Sequence, residues 1–211
     1  MNRHVATERP LTLSPDQVRR FLGLHGRAPA TRLRLPVRCG TSIVDGSRAG
    51  PRRWSALDIV QAGTGPGPCL KARDPDLDTE HRIDCRFHDG LRLWVRERFH
   101  ADHPPTYYAE RFRERDGLAY EADYASGGGF HDLMWEPAPK MVRAMSRLDL
   151  DVTGLTVQRL LEAGDEDAGA EGFPSGEALV EAFRSDHGGR LAVGAEASPW
   201  TWVLHVTARP T

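Results

Sequence analysis

SRLDLDVTGLTVQRLLEAGDEDAGAEGF, residues Ser146–Phe173, is the stretch that decides the fold. It begins with apolar residues alternating with polar ones, and this period of two predicts a strand with one buried and one polar face. The apolar positions are Leu148, Leu150 and Val152, and the polar positions are Asp149, Asp151 and Thr153. Gly154 predicts a bend or bulge, after which a second apolar run follows at Leu155, Val157 and Leu160.

The second half of this stretch predicts a short helix. Acidic residues occupy positions 165–167, and negative charge in a first turn suits the helix dipole. Gly172 predicts the end of the helix. The stretch therefore contains strand segments that lead into a short helix.

Outward from this stretch, three further segments show strand patterns: Pro10–Leu13, Leu91–Phe99 and Trp200–Val206. We expect all four segments in one mixed sheet or small barrel. Two helices are predicted beside them, one capped by Ser14 with Pro15 at its first position, and one over Glu177–Phe183. Short strands with a few helices indicate an α+β fold.

The chain divides into a short tail and one predicted domain. Residues 1–9 are expected to form a flexible tail, and residues 10–211 a single domain. Within this domain, the residues at about 40–80 are rich in Gly, Pro, Ser and Arg, which predicts an inserted, partly irregular region. Residues 82–88 and 91–99, joined by Asp89-Gly90, predict a hairpin.

Composition limits the function classes. With 28 Lys and Arg against 30 Asp and Glu, the formal net charge is −2, so bulk attraction to nucleic acid is not indicated. Arginine is nevertheless concentrated in the first quarter of the chain. Three unevenly spaced cysteines favour a reducing cytoplasm, and no apolar run approaches the roughly 20 residues that span a bilayer. We expect a cytoplasmic protein without a membrane segment.

Several quoted motifs resemble the ASCH-type proteins of the PUA-like superfamily, especially the small ones common in phages and prophages. The family pattern appears here, in order, as Arg92-Leu93-Trp94-Val95-Arg96-Glu97, Trp135-Glu136-Pro137, Met141, Ser146-Arg147-Leu148-Asp149-Leu150-Asp151-Val152-Thr153, Arg159-Leu160, Asp167-Ala168-Gly169-Ala170-Glu171-Gly172, and Pro199-Trp200-Thr201-Trp202-Val203-Leu204. The sequence departs from the pattern at Leu91, where the family has Asp. The resemblance implies a PUA-like small mixed β-barrel with short flanking helices.

The resemblance and the residues together predict binding of RNA, single-stranded nucleic acid or a modified nucleotide. Arginine forks hold phosphate, and an aromatic ring stacks on a base. We expect an Arg-lined cleft between the loop Arg27–Arg32 and the strand Trp94–Glu97. Phosphate would be held by Arg27, Arg32 and Arg96, and Trp94, Glu97, Ser146 and Arg147 are further candidates for the site. Structural alternatives remain open for these residues. Trp94 is alternatively a core residue, and Arg96 and Glu97 alternatively form a structural ion pair. Arg147 alternatively pairs with Asp149 or Glu171.

A second hypothesis is an enzyme, either a nucleoside amidohydrolase or a ribonuclease. In the amidohydrolase branch, which this chain resembles only distantly, a Lys and a Thr of the first loop act with a downstream Glu on acetylated cytidine. Thr31 and Glu171 occupy the positions of the Thr and the Glu, whereas Ala28 stands where the Lys belongs. The resemblance thus implies the catalytic Thr and Glu but lacks the lysine that acts with them.

A third hypothesis is a phage or prophage accessory protein that works through protein contacts, which would show an exposed apolar patch. No cofactor is predicted. The spacing of His81, Cys85 and His88 is compatible with zinc, but a strand would point His88 away from the other two, so we predict no metal site.

Overall fold

The computed structural model of the chain describes residues 8–24, 28–39, 42–43, 55–61, 68–74, 79–104, 106–107, 117–124, 133–187 and 198–211. Its strands are β1 (Glu8–Thr12), β2 (Arg32–Pro36), β3 (Arg38–Cys39), β4 (Ser42–Ile43), β5 (Ser55–Gln61), β6 (Pro68–Asp74), β7 (Thr79–Asp84), β8 (Arg92–Arg96), β9 (Phe99–Ala101), β10 (Leu118–Tyr120), β11 (Leu148–Arg159) and β12 (Trp200–Pro210). Its α-helices are α1 (Pro15–Phe21), α2 (Asp165–Ala170) and α3 (Gly176–His187), and single 3₁₀ turns lie at Glu121–Asp123, Ala138–Lys140, Arg143–Met145 and Leu160–Glu162.

The largest sheet has five strands in the order β1-β8-β11-β12-β2. β1 runs parallel to β8, whereas β8 with β11 and β12 with β2 are antiparallel. Each of the four predicted segments contributes one strand to this sheet, whereas Phe99, expected in the same strand as Leu91, lies in β9 and pairs with β10 in a separate sheet. The α+β class is confirmed.

The chain forms two compact units. Unit 1 comprises residues 1–30, 90–151 and 207–211, and unit 2 comprises residues 31–89 and 152–206.

In unit 1, α1 begins as its sequence predicts. Ser14 caps it in a capping box with Gln17, and Gly23 follows the helix with a φ of 64°. A buried cluster of Phe99, Tyr120, Met141 and Met145 packs below the strands, and the Tyr120 hydroxyl donates a hydrogen bond to the carbonyl of Met145 at 2.7 Å.

In unit 2, the two short helices form a small apolar core with the end of β11. Leu160, Ala168, Leu179 and Phe183 are buried against one another. α2 begins in the predicted acidic run, and Gly172 beyond it has a φ of 80°, a conformation that glycine adopts without steric cost. The predictions of both helices are confirmed.

Three local expectations are corrected. β11 runs through Gly154 as one strand, Leu148–Arg159, where two strand segments were expected. Glu8 and Arg9, expected in the tail, pair with Arg92 and Leu93 as part of β1. The expected hairpin is not formed, since β7 and β8 lie in different sheets.

The region at about 40–80, predicted to be partly irregular, contains regular strands. Its described residues include β5 and β6, which form an antiparallel three-stranded sheet with β7. The Gly- and Pro-rich letters at 62–67 stand between two of these strands in the sequence. They therefore separate regular elements, and the region is not irregular throughout.

Over the described part of the chain, no helix combines the length and the apolar character that crossing a membrane would require.

Candidate functional site

Trp94 and Arg96 share one face of β8 in unit 1. The strand alternates between buried residues, Leu93 and Val95, and half-buried ones, so both side chains reach the opposite, more open face. The guanidinium carbon of Arg96 lies 5.6 Å from the centroid of the Trp94 ring, which is a cation–π distance. Two of the predicted site residues are therefore in contact.

The polar atoms of Arg96 are only partly satisfied. Its Nη1 is 3.5 Å from the carbonyl oxygen of Pro139, at the limit of a hydrogen bond, and its buried Nε has no hydrogen-bond partner. Among the described residues it forms no ion pair. Arg96 thus retains a charge that no carboxylate of the described residues neutralises.

Glu97 points to the other side of the strand and is buried, with 1% of its surface exposed. Arg147 binds it bidentately, from Nε to Oε1 at 2.9 Å and from Nη2 to Oε2 at 3.0 Å. Burial raises the pKa of Glu97, and Arg147 opposes that shift. The ion pair considered from sequence for Glu97 exists, but its partner is Arg147 and not Arg96.

Arg147 is engaged on several sides. Its Nη1 donates to Asp123 at 2.7 and 2.8 Å, and its guanidinium lies 4.2 Å from the centroid of the Tyr120 ring. Ser146 beside it is buried, and its hydroxyl donates to the carbonyl of Leu148 at 3.2 Å. Both residues have structural contacts that explain their presence, so a role in ligand binding remains a prediction for them.

Unit 2 holds the predicted loop residues that the structure describes. Thr31 is exposed, and its backbone N–H donates to the carbonyl of Ala170 at 2.8 Å. Arg32 forms an ion pair with Asp167 at 2.5 Å, which offsets the charge it could offer to a phosphate. Arg27 lies outside the described residues.

Near this pair, His205 has a lowered pKa. Burial is the main cause and the positive charge of Arg32 adds to it, while Asp167 acts in the opposite direction. The imidazole of His205 is therefore neutral at physiological pH.

Glu171, the other predicted catalytic residue, is buried with 5% of its surface exposed. Its carboxylate accepts a hydrogen bond from Nε of Arg34 at 2.9 Å, and Arg34 is itself 3% exposed. The two remaining nitrogens of Arg34 donate to Thr201 Oγ1 at 2.9 Å and to Gln158 Oε1 at 3.1 Å. A buried ion pair, in which each guanidinium nitrogen of Arg34 donates one hydrogen bond, cross-links β2, β11, β12 and the end of α2.

The predicted residues fall in both units. Unit 1 contains Trp94, Arg96, Glu97, Ser146 and Arg147, and unit 2 contains Thr31, Arg32 and Glu171. Within unit 1, Trp94 contacts Arg96 and Glu97 contacts Arg147, while in unit 2 Thr31 bonds to the residue that precedes Glu171.

Sequence reasoning missed several polar residues that the structure makes important. Arg34 lies within an alternating basic and apolar run, which favours an exposed arginine, yet it is buried against Glu171. Asp149 was placed on the polar face of its strand, yet it is 4% exposed because Arg143 covers it. In neither ion pair are the two residues separated by a regular helix or strand spacing. Only knowledge of which positions are in contact in three dimensions would therefore have identified these pairs.

The zinc pattern gains no support from the described atoms. Burial raises the pKa of the Cys85 thiol to about 11. Nδ1 of His88 lies 2.9 Å from the carbonyl oxygen of Asp89. In the described part of the chain, no three His, Cys, Asp or Glu side chains gather in a way that could hold a metal ion.

Comparison of the chain with models of known protein families, with curated proteins and with solved structures gave no match. The resemblance to ASCH-type proteins therefore stays a prediction carried by the quoted motifs.

Proposed function

We propose that the chain binds RNA, single-stranded nucleic acid or a modified nucleotide on the face of β8 that carries Trp94 and Arg96, in a fold of the PUA-like, ASCH type with a barrel-like sheet and a cytoplasmic setting. A single observation carries this proposal: the un-neutralised guanidinium of Arg96 lies beside the Trp94 ring. An aromatic face stacks on a base of any sequence, and a guanidinium fork binds phosphate.

Three other arginines differ from Arg96 in being paired with carboxylates, and this difference supports Arg96 as the phosphate ligand. Arg32, Arg34 and Arg147 each hold a carboxylate. A cation that is already paired gives up that partner to bind an anion, so its net gain is small. Arg96 pairs with no carboxylate in the part of the chain that the structure describes, so it has no such partner there to give up.

The salt dependence of binding tests this proposal. Each phosphate contact on a single strand contributes roughly −0.7 to the slope of log affinity against log salt concentration. Arg96→Ala is expected to make the slope shallower by about that amount, measured by fluorescence anisotropy with a labelled oligonucleotide. Arg96→Lys should keep the slope and lower the affinity, because lysine retains the charge and loses the planar fork.

Arg98→Ala is the matched control, since Arg98 is exposed and paired with Glu121 at 2.8 Å. It should leave slope and affinity near those of the unchanged protein. Replacing Arg32, which Asp167 neutralises, should alter the slope less than replacing Arg96. An unchanged slope in Arg96→Ala, or an affinity that does not depend on salt, would count against the proposal.

For the enzyme hypothesis we expect a negative result, namely no release of cytidine from acetylcytidine above background. Ala28 offers no titratable group where the resemblance implies a lysine, and loss of a catalytic base costs about 10² to 10⁴ in rate. Glu171 is also held by Arg34 at 2.9 Å and is buried. Incubation of the purified chain with acetylcytidine, followed by chromatography, measures this. Rapid turnover that Glu171→Gln abolishes would refute the expectation.

A further inference from the structure

Asp149 stands directly across from Trp94 on the neighbouring strand. The backbone register pairs Asp149 with Trp94 and Asp151 with Arg92, so these four side chains lie on one face of the antiparallel pair. Arg96 shares that face, because it is two residues beyond Trp94 on the same strand. Trp94 therefore has a carboxylate across the strand and a guanidinium along it.

One carboxylate oxygen of Asp149 is satisfied and the other is not. Oδ2 accepts a hydrogen bond from Nη2 of Arg143 at 2.7 Å. Oδ1 is buried and has no hydrogen-bond partner. The residue as a whole is only 4% exposed, so water does not satisfy this oxygen freely.

Two residues that share a face with Trp94 thus each carry an unsatisfied atom, and the two atoms are of opposite type. Arg96 Nε is a donor without an acceptor, and Asp149 Oδ1 is an acceptor without a donor. Most buried polar atoms in native proteins have partners, because an unpaired one costs free energy. A planar ligand that stacks on Trp94, donates to Oδ1 and accepts from Nε would satisfy both atoms together once the side chains that bury them move aside, because neither atom is accessible in the structure.

We propose that this face reads the edge of a nucleobase that carries an amino group, with Asp149 as the specificity-determining residue. The inference rests on the nucleic-acid function proposed above and adds the class of base. A carboxylate accepts hydrogen bonds and donates none, and it pairs with an exocyclic amino group such as that of cytosine. A ring nitrogen or carbonyl oxygen beside that amino group accepts the hydrogen bond from Arg96.

Uracil fits this pair of atoms less well. Its single ring N–H is flanked by two carbonyl oxygens, and the negative charge of Asp149 repels both. The site is therefore expected to discriminate by the edge of the base, while the phosphate contact contributes equally to all sequences.

The direct test uses the unaltered protein with oligocytidylate, oligoadenylate and oligouridylate of equal length at one salt concentration. We expect the two amino-bearing oligomers to bind roughly tenfold tighter than oligouridylate, as for one good base-edge pair. An oligomer of N4,N4-dimethylcytidylate, which lacks the amino N–H groups, should bind as weakly as oligouridylate. Equal affinities for all four oligomers would overturn the inference.

A variant test follows the ratio of the cytidylate and uridylate affinities. Asp149→Asn removes the charge and replaces one acceptor with a donor, so the ratio should fall to about one. Asp151→Asn is the matched control, since Asp151 lies on the same face but has two cations beside it, Arg92 at 2.9 Å and Arg209 at 2.6 Å. Its Oδ2 also lacks a hydrogen bond of good geometry, but the charge of Arg209 compensates that oxygen, whereas no cation lies at Oδ1 of Asp149 among the described residues. Its ratio should match that of the unaltered protein, and a fall in the control as large as in Asp149→Asn would contradict the assignment.

The outcomes separate the two proposals. If none of the oligomers binds, the nucleic-acid function itself fails. If binding requires Arg96 and the ratio in the unaltered protein is one, the function stands and the base-edge inference fails. If Asp149→Asn does not fold, because Arg143 loses one of its two carboxylate partners, the comparison of the dimethylated oligomer with oligocytidylate on the unaltered protein decides between the outcomes.

Discussion

Glu171→Ala is expected to lower the free energy of unfolding of the protein by about 3–5 kcal/mol. The carboxylate of Glu171 is the partner of Arg34, whose side chain is almost fully buried. Without it, the guanidinium keeps hydrogen bonds to Thr201 and Gln158 but carries a buried charge that nothing neutralises. Such a loss is a large part of the roughly 5–15 kcal/mol that stabilises a typical protein.

The measurement is urea unfolding, read as a shift of the midpoint at constant slope. The matched control is Asp84→Ala, which breaks an exposed ion pair with Arg82 in the same unit and should change stability by less than about 1 kcal/mol. The double variant Arg34→Met, Glu171→Leu removes both charges, and it should be more stable than Glu171→Ala. A Glu171→Ala midpoint as close to the original as that of the control would show that the buried pair contributes little.

Arg147→Ala is expected to destabilise the protein by a similar amount, about 3–5 kcal/mol at neutral pH, and by less in acid. Arg147 is the bidentate partner of the buried Glu97, and the variant leaves that carboxylate uncompensated. Burial already raises the pKa of Glu97 above its ordinary value of 4.5, and Arg147 is what opposes the rise. Removing Arg147 therefore raises this pKa further.

The sign of the pH dependence follows from that shift. Above the raised pKa the folded variant must hold a buried negative charge, so the full penalty applies. As the pH falls through the raised pKa, folded Glu97 takes up a proton before unfolded Glu97 does, and the penalty shrinks. Urea unfolding of the variant and of the unaltered protein between pH 8 and pH 4 measures the difference in their free energies of unfolding at each pH.

The control for Arg147→Ala is Arg98→Ala in the same unit, because Arg98 pairs with Glu121 at the surface. Its effect should be within about 1 kcal/mol and nearly independent of pH. A destabilisation by Arg147→Ala that stays constant across this pH range would mean that lost packing against Tyr120, and not the charge of Glu97, dominates.

The sequence by itself determined the class of the fold and the identity of its main strands. Period-two alternation over residues 148–152 requires one buried face, and this holds whatever the neighbours are, so β11 was predictable. α1 was predictable in the same way, because its cap is formed by the neighbouring residues Ser14 and Gln17. α2 was predictable because its acidic first turn and the following Gly172 are local signals.

Tertiary structure alone decided the partners of the charged side chains. Glu97 lies next to Arg96 in the sequence but pairs with Arg147, and Glu171 pairs with Arg34 across 137 positions. Alternation gives the face on which a side chain lies, yet the choice of partner depends on which strands become neighbours. That choice is made by the whole sheet, since β8 pairs with β1 and β11 and not with the preceding β7.

The candidate site shows the same division. Trp94 and Arg96 were predicted to share a face because they are two residues apart on one strand, and their contact at 5.6 Å bears this out. Asp149 could not be added from sequence, because its place opposite Trp94 depends on the register between β8 and β11. A shift of that register by one residue would turn Asp149 to the other face of the sheet, so the unsatisfied carboxylate oxygen beside Trp94 is a property of the fold and not of any local pattern.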